Sequence, residues 1–181
     1  RVRVGYMSSD IKLSHPIGQL FVPILAQHDR RRVEIVCVDT SVGGLSRTQN
    51  SVWHREVHGV CEGGYVTLDN CRARECASTL NAHRLGVLAS LNGWSGEERM
   101  DALSHTPAPL QLNLLGFPGT SGAGFVHALL TDPTSSPPEY RNFYSERTLL
   151  LLPGFHHIMA HTHTIGPPHT KRSRTDLGLP E

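Results

Sequence analysis

The sequence predicts an α/β fold, a mostly parallel sheet with helices on both faces. Two observations carry this. Strand-like runs alternate with helix-like segments along most of the 181 residues, the pattern of a sheet built by crossover connections. The stretch Pro107–Asp132, PAPLQLNLLGFPGTSGAGFVHALLTD, then sets two apolar runs, Leu110–Leu115 and Val126–Leu130, on either side of a glycine-rich turn, Gly116–Gly124. That reads as two buried strands joined by a tight crossing. In open α/β sheets ligands bind where strands end and loops begin, so this stretch reads as the floor of a site.

The elements follow in order. Arg1–Met7 alternates as a strand and runs into the capping-type residues Ser8, Ser9 and Asp10. Ile11–His15 is a loop, and Pro16 opens a helix that continues over Ile17–His28 with Leu20, Phe21, Ile24 and Leu25 at helical spacing. Val33–Val38 is β-branched and reads as a second strand. Ser46–Glu56 reads as a short helix, and Val57–Val60 and Tyr65–Leu68 as weaker strands around Gly63-Gly64. Asn70–Arg84 is helical, with Asn70 as its cap. Leu85–Leu91 is a buried strand that ends in Asn92-Gly93-Trp94-Ser95-Gly96. Glu97–His105 is a helix with acidic residues in its first turn, as the helix dipole favours. Ser135–Glu146 is a polar connector with some helix, and Arg147–Leu152 is a further strand.

From Gly154 the character changes to a linker. It is rich in histidine, with a KRSR cluster and the closing LGLPE. The division is therefore a lobe over 1–153 and a linker over 154–181. The first strand starts almost at Arg1, so the sequence reads as a piece of a longer protein. At 38% hydrophobic and 18% charged residues it is a folding sequence. A net charge of +1 argues against a general nucleic-acid surface. Apolar runs such as Leu149–Leu152 are far too short to span a bilayer, and no signal-peptide core opens the chain. The four cysteines form no CxxC pair. Free thiols in a reducing compartment are expected.

Three loops should converge at the C-terminal edge of the sheet: Ser8–His15, Asn92–Gly96 and Gly116–Gly124. They bring a carboxylate (Asp10), an imidazole (His15), hydroxyls, an amide (Asn92) and glycine-flanked N–H groups that suit an anion or a sugar. An Asp–His pair could relay a proton from a hydroxyl. Asp10 could equally be a turn former, His15 a surface loop residue, Trp94 a packing residue, and the glycines turn residues only. His156, His157, His161 and His163 lie close together without an acidic partner, which is weak support for a metal site. GYMSSD stands where a G-x-G-x-x-G would follow the first strand, and no G-x-S-x-G elbow or Walker loop is present.

RVRVGYMSSD, the SHP at Ser14–Pro16, LNGWSG, PAPLQLNLLGFPGTSG, LLTD and YSERTLLLLPG together resemble the catalytic region of O-GlcNAc transferases and the related SPINDLY proteins. The resemblance covers Arg1 to about Gly154. It implies one Rossmann-like lobe of a two-lobed GT-B glycosyltransferase, with LGLPE leading toward the second lobe. The implied reaction transfers GlcNAc from UDP-GlcNAc to Ser or Thr of nuclear and cytoplasmic proteins, with inversion, no metal and no cofactor beyond the donor. By motif, Asp10 takes the place of the aspartate that assists proton removal. His15 and Pro16 take the place of the His-Pro that lines the sugar and acceptor site. Gly119, Thr120, Ser121 and Gly122 take the place of the turn that shapes the cleft.

Departures accompany the likeness. The Asp10–His15 spacing is one residue longer than the family's, Ile17 and Gln19 replace its usual residues, and His127 stands where an aspartate is common. The UDP-binding lysine belongs to the second lobe. The expected partners are therefore protein substrates and, through that lobe, UDP-GlcNAc, with no nucleic acid and no membrane. A non-catalytic binding or regulatory module that kept the fold is the alternative. An unrelated oxidoreductase lobe would lack its glycine fingerprint.

Overall fold

The computed structural model describes residues 1–12, 14–43, 52–114 and 116–154, and the single positions 173, 175 and 180. The linker expected over 154–181 and its histidines lie almost wholly outside these residues. Along the chain come β1 (Val2–Ser8), α1 (Pro16–Leu25), β2 (Val33–Asp39), α2 (Val52–Val60), β3 (Gly64–Thr67), α3 (Ala73–Ala82), β4 (Val87–Ser90), α4 (Met100–Leu103), β5 (Leu110–Leu114), β6 (Ala128–Thr131), a short 3-10 helix (Pro138–Phe143) and β7 (Thr148–Leu151).

The seven strands form one sheet in the order β3-β2-β1-β4-β5-β6-β7. Every neighbouring pair is parallel. The chain winds outward from β1 through β2 to β3, then returns to the other side of β1 and winds outward again. The direction of winding reverses between β1 and β4. The loops that leave these two strands on the same edge therefore part to opposite faces and leave a crevice between them.

The strand period of two divides the core into two layers. Tyr6, Ile35, Cys37, Ala89, Leu112 and Leu114 face one way and pack with Ile17, Phe21 and Leu25 of α1 and Val57 of α2. Met7, Val36, Val38, Val66 and Leu88 face the other way, against Cys76 and Leu80 of α3 and Met100 and Leu103 of α4. Leu80 and Leu88 are both wholly buried, and each side chain contributes about 2 kcal/mol by leaving water.

Several elements differ from the sequence reading. Val57–Val60 is the last part of α2, not a strand: Val57 is buried in the first layer, and that packing overrides the β preference of valine. Asn70 has a left-handed φ of 54° and does not cap α3. The N-cap is Arg72, whose N–H donates to the Glu75 carboxylate at 3.0 Å. The helix expected at Glu97–His105 shrinks to α4: Gly96, at φ 65°, turns the chain, and the helix begins only after Arg99, its N-cap. Val126 belongs to the glycine-rich crossing rather than to β6, held in a turn by its N–H to Ala123 O at 3.0 Å. The part of the expected helix 46–56 before Val52 lies outside the described residues.

The expectation of free thiols is overturned. Cys37 pairs with Cys61 and Cys71 with Cys76, with Cα–Cα separations of 5.6 and 5.5 Å. Cys37 sits on the inner face of β2 and Cys61 at the exit of α2, so helix-on-sheet packing brings together residues 24 apart in sequence. No spacing rule encodes that meeting. No described helix is long and apolar enough to cross a membrane.

With both bridges in place, denaturing the protein without reductant should expose no thiol reactive toward a disulfide reagent. After reduction, all four cysteines of the chain should react, and the midpoint of urea unfolding should fall by the equivalent of at least about 3 kcal/mol, the loop-closure value for the wider bridge alone.

Candidate active site at the switch point

The crevice between β1 and β4 is lined by the Ser8–His15 loop and the Leu91–Arg99 loop. Asn92, buried at the end of β4, joins them. Its Oδ1 accepts the Ser8 hydroxyl at 2.5 Å and its Nδ2 donates to Asp10 Oδ2 at 2.5 Å. The Asp10 N–H closes the ring by donating to Ser8 Oγ at 2.9 Å. The Ser9 hydroxyl adds a longer bond to Asp10 Oδ2, at 3.3 Å. One carboxylate oxygen is therefore fixed by neutral donors, and the other faces Lys12, whose Nζ stands 3.7 Å from Oδ1.

His15 lies beside the same carboxylate, with Nε2 3.8 Å from Asp10 Oδ2. Its Nδ1 accepts the Ile17 N–H at 3.3 Å and so caps α1, with Pro16 next in line at the first helical position. This bond places the lone pair of the neutral ring on Nδ1 and the proton on Nε2, toward Asp10. His15 can thus steady a negative charge on Asp10, and the free base of the pair is the carboxylate. The loop closes onto α1 because position 18 is glycine: a Cβ there would lie 2.2 Å from Lys12 O.

Gly119–Gly122 form a wall tied to this loop system. The Trp94 indole N–H donates to Ser121 O at 2.6 Å. The turn is clamped from behind by Glu146, which is almost completely buried. Its Oε1 accepts the Ser121 N–H at 2.6 Å and its Oε2 the Thr120 hydroxyl at 2.8 Å. The Ser145 hydroxyl accepts the Gly122 N–H at 2.9 Å. Burial alone would raise the Glu146 carboxyl, but the bonds from Ser121 and Thr120 outweigh it and hold the group below its usual value. Thr120 and Ser121 are thus largely occupied within the turn. Outside it, Gly119 and Thr120 border an open cavity of about 420 Å³ with Tyr140, Phe143 and Tyr144.

Asp10, His15 and Pro16 therefore come together, and Gly119–Gly122 reach them by way of Asn92–Trp94. Sequence reasoning missed Lys12 and Glu146, and it read Ser8 as a capping residue and site hydroxyl rather than as the partner of Asn92. Among the described residues no three His, Cys, Asp or Glu side chains converge in a way that could hold a metal ion.

Comparison with known proteins gives this geometry a family. The model of Glycosyl transferase family 41 matches residues 1–174. The chain belongs to glycosyl transferase family 41. A relative in Arabidopsis thaliana, named a probable UDP-N-acetylglucosamine–peptide N-acetylglucosaminyltransferase SEC, is 32% identical over all of this chain and 18% of its own length. The UDP-N-acetylglucosamine–peptide N-acetylglucosaminyltransferase of Caenorhabditis elegans is 31% identical over 92% of this chain and 13% of its own. The chain thus spans less than a fifth of the length of either relative. A solved O-GlcNAc transferase mutant from Thermobaculum terrenum superposes with a TM-score of 0.76 at 23% identity, over 86% of this chain and 28% of that one. The family-41 lobe is thus the α/β, GT-B-type lobe that the sequence predicts.

The depressed Glu146 carboxyl gives this family-41 lobe a defined acid sensitivity. A group lowered on folding contributes stability above its unfolded value, about 4.3 for a glutamate, and loses it as pH falls through the folded value. Glu146→Gln should therefore cost about 2 kcal/mol at pH 7, the scale of a charged hydrogen bond. The gap to the parent protein should close as pH falls below about 4, which urea unfolding across pH checks.

Proposed function

We propose that the chain is the N-terminal catalytic lobe of an enzyme that transfers GlcNAc from UDP-GlcNAc to Ser or Thr hydroxyls of proteins, with inversion. The observation that carries this is the Asp10 carboxylate, oriented by Asn92 and Ser9 at the switch point of a family-41 lobe. In this reading the acceptor hydroxyl gives its proton to Asp10 as its oxygen bonds to the anomeric carbon, while the bond from that carbon to the diphosphate breaks and UDP leaves. Asp10 polarises the nucleophile, the Asn92 bond fixes its direction, and His15 steadies the carboxylate before the proton arrives. Pro16 and the Gly119–Gly122 wall shape the acceptor and sugar side. The donor diphosphate is assigned to a second lobe, with residues 1–153 as the present lobe and 154–181 as the passage toward it. Soluble nuclear or cytoplasmic proteins are the proposed acceptors, and neither a metal nor a further cofactor enters the scheme.

A second reading, a binding or regulatory module that kept the fold, draws on Lys12. It lies in the lengthened Asp10–His15 loop, and its ammonium stands 3.7 Å from Asp10 Oδ1, where it competes with an acceptor hydroxyl for that oxygen.

Transferase assays with UDP-GlcNAc and a Ser/Thr peptide separate the two. In the full-length parent, Asp10→Asn should lower kcat by about 10²- to 10⁴-fold, the range of a lost acid–base group. His15→Ala should lower it less. Unchanged turnover in both variants would establish the binding module. The 181 residues alone should show no turnover, since nothing in them is assigned to the leaving diphosphate.

A further inference from the structure

Glu98 is the polar group in the site region that the scheme above leaves without a task. It follows the Asn92–Gly96 loop, and its carboxyl turns inward. Oε1 accepts the Ser90 hydroxyl at 2.9 Å. Oε2 is sealed from solvent and makes no well-formed hydrogen bond, although the Thr40 hydroxyl and the Ser9 N–H lie against the carboxyl. Ser90 is itself wholly buried at the end of β4, and its oxygen accepts the Gly93 N–H at 3.0 Å. Gly93 has a left-handed φ of 55°, and its bare Cα lies against Phe117, where a Cβ would come within 2.6 Å of the Phe117 Cβ. The Ser95 N–H and hydroxyl hold Asn92 O, at 3.0 and 2.7 Å, while the Gly93 side of the turn is pinned by the Ser90 hydroxyl, which Glu98 orients.

We propose that Glu98 is a positioning residue for Asp10: through Ser90 and the Gly93 N–H it sets the turn that delivers the Asn92 amide to the Asp10 carboxylate. The inference rests on the reading of Asp10 as proton acceptor.

The chemistry of the enclosure fits the task. A charged carboxylate with a bare, buried oxygen is unfavourable, whereas a neutral acid there costs far less. Burial, and to a smaller degree the negative charge of Asp10, push the Glu98 carboxyl well above its usual value, and outweigh the opposing hydrogen bonds from the Ser90 hydroxyl, the Ser9 N–H and the Thr40 hydroxyl. Glu98 thus accepts from Ser90 as a neutral acid and adds no second negative charge behind Asp10. The other charged groups around the pair point elsewhere or sit in front. Lys12 and His15 stand on the open side of Asp10. The Glu97 carboxylate accepts the Val42 N–H at 2.9 Å. Arg99 is turned to Asp101 at 2.8 Å and to Cys71 O at 2.9 Å.

The test follows the Asp10 side-chain carboxyl by ¹³C NMR titration in the full chain, together with hydrogen exchange at the Gly93 amide. Glu98→Gln keeps a neutral acceptor for Ser90 and should leave both signals as in the parent protein. Glu98→Ala removes the acceptor. The Asp10 carboxyl signal should then move away from its parent position, having lost its best-aligned donor, and Gly93 should exchange about tenfold faster as the turn opens. If Glu98→Ala fails to fold, Ser90→Ala breaks the same link with a smaller volume change and should give the same two shifts. Unchanged Asp10 titration and Gly93 exchange in whichever of these variants folds would overturn the proposal. An Asp10 shift in Glu98→Gln equal to that in the truncating variant would overturn the neutral-acceptor role. Neither readout uses turnover, so failure here is distinguishable from failure of Asp10→Asn to lower transferase activity in the parent.

Discussion

The Asn92 carboxamide holds two loops from adjacent strands in one register. One end takes the Ser8 hydroxyl and the other gives an N–H to Asp10. Both bonds are short and lie where water is largely excluded, so each group depends on the other for its hydrogen bonding. The arrangement requires β1 and β4 to be neighbours, although the residues they carry are more than eighty positions apart. Reversal of winding between these strands is what makes them neighbours while sending their connections to opposite faces. The glycines then permit the contact. Without a side chain at Gly96, the β4 loop comes close enough for a Cβ to meet Ser9 Oγ at 2.8 Å. Without one at Gly18, the β1 loop settles on α1.

The charges of the region are sorted by depth. Asp10 stands in front with partners of opposite or switchable charge, Lys12 and His15, both partly open to solvent. Such exposed pairs contribute little to stability, and their effect falls on the chemistry of the carboxylate. Glu146 is charged and buried and is fully engaged by the turn it clamps. Glu98 is enclosed, and burial pushes its carboxyl well above its usual value. The three carboxyl groups thus stand at three depths with different partners, and what surrounds each sets its behaviour.

Much of the fold was legible in the sequence. The runs at Arg1–Met7, Val33–Val38, Leu85–Leu91 and Leu110–Leu115 supplied the strands Val2–Ser8, Val33–Asp39, Val87–Ser90 and Leu110–Leu114, because apolar residues flanked by turn-forming ones leave few alternatives. Boundaries were less legible. Val57–Val60 carries the β-branched residues of a strand and is helical because Val57 completes the layer beside α1. Asn70 looked like a cap and took a left-handed turn position, which asparagine tolerates. The cysteine pairs were illegible, since Cys37 meets Cys61 only after a helix has packed on its strand. For the site, Asp10 and His15 could be named because they lie in the loop that leaves the first strand, and Pro16 because the SHP motif resembles the family's. Glu146 could not, because its contact with Thr120 and Ser121 spans a separation of about 25 residues without any local pattern.

By itself the sequence determined the fold class, the strands that would carry the site and the residue types at their ends. Local periodicity and turn chemistry suffice for these, because each depends on neighbours along the chain. The tertiary structure decided the partners: Asn92 with Asp10, Trp94 with Ser121, Glu146 with the Gly119–Gly122 wall, and Glu98 with Ser90. Hydrogen bonding and desolvation act over a few ångströms in space. Only the order of strands in the sheet determines which distant residues come within that range.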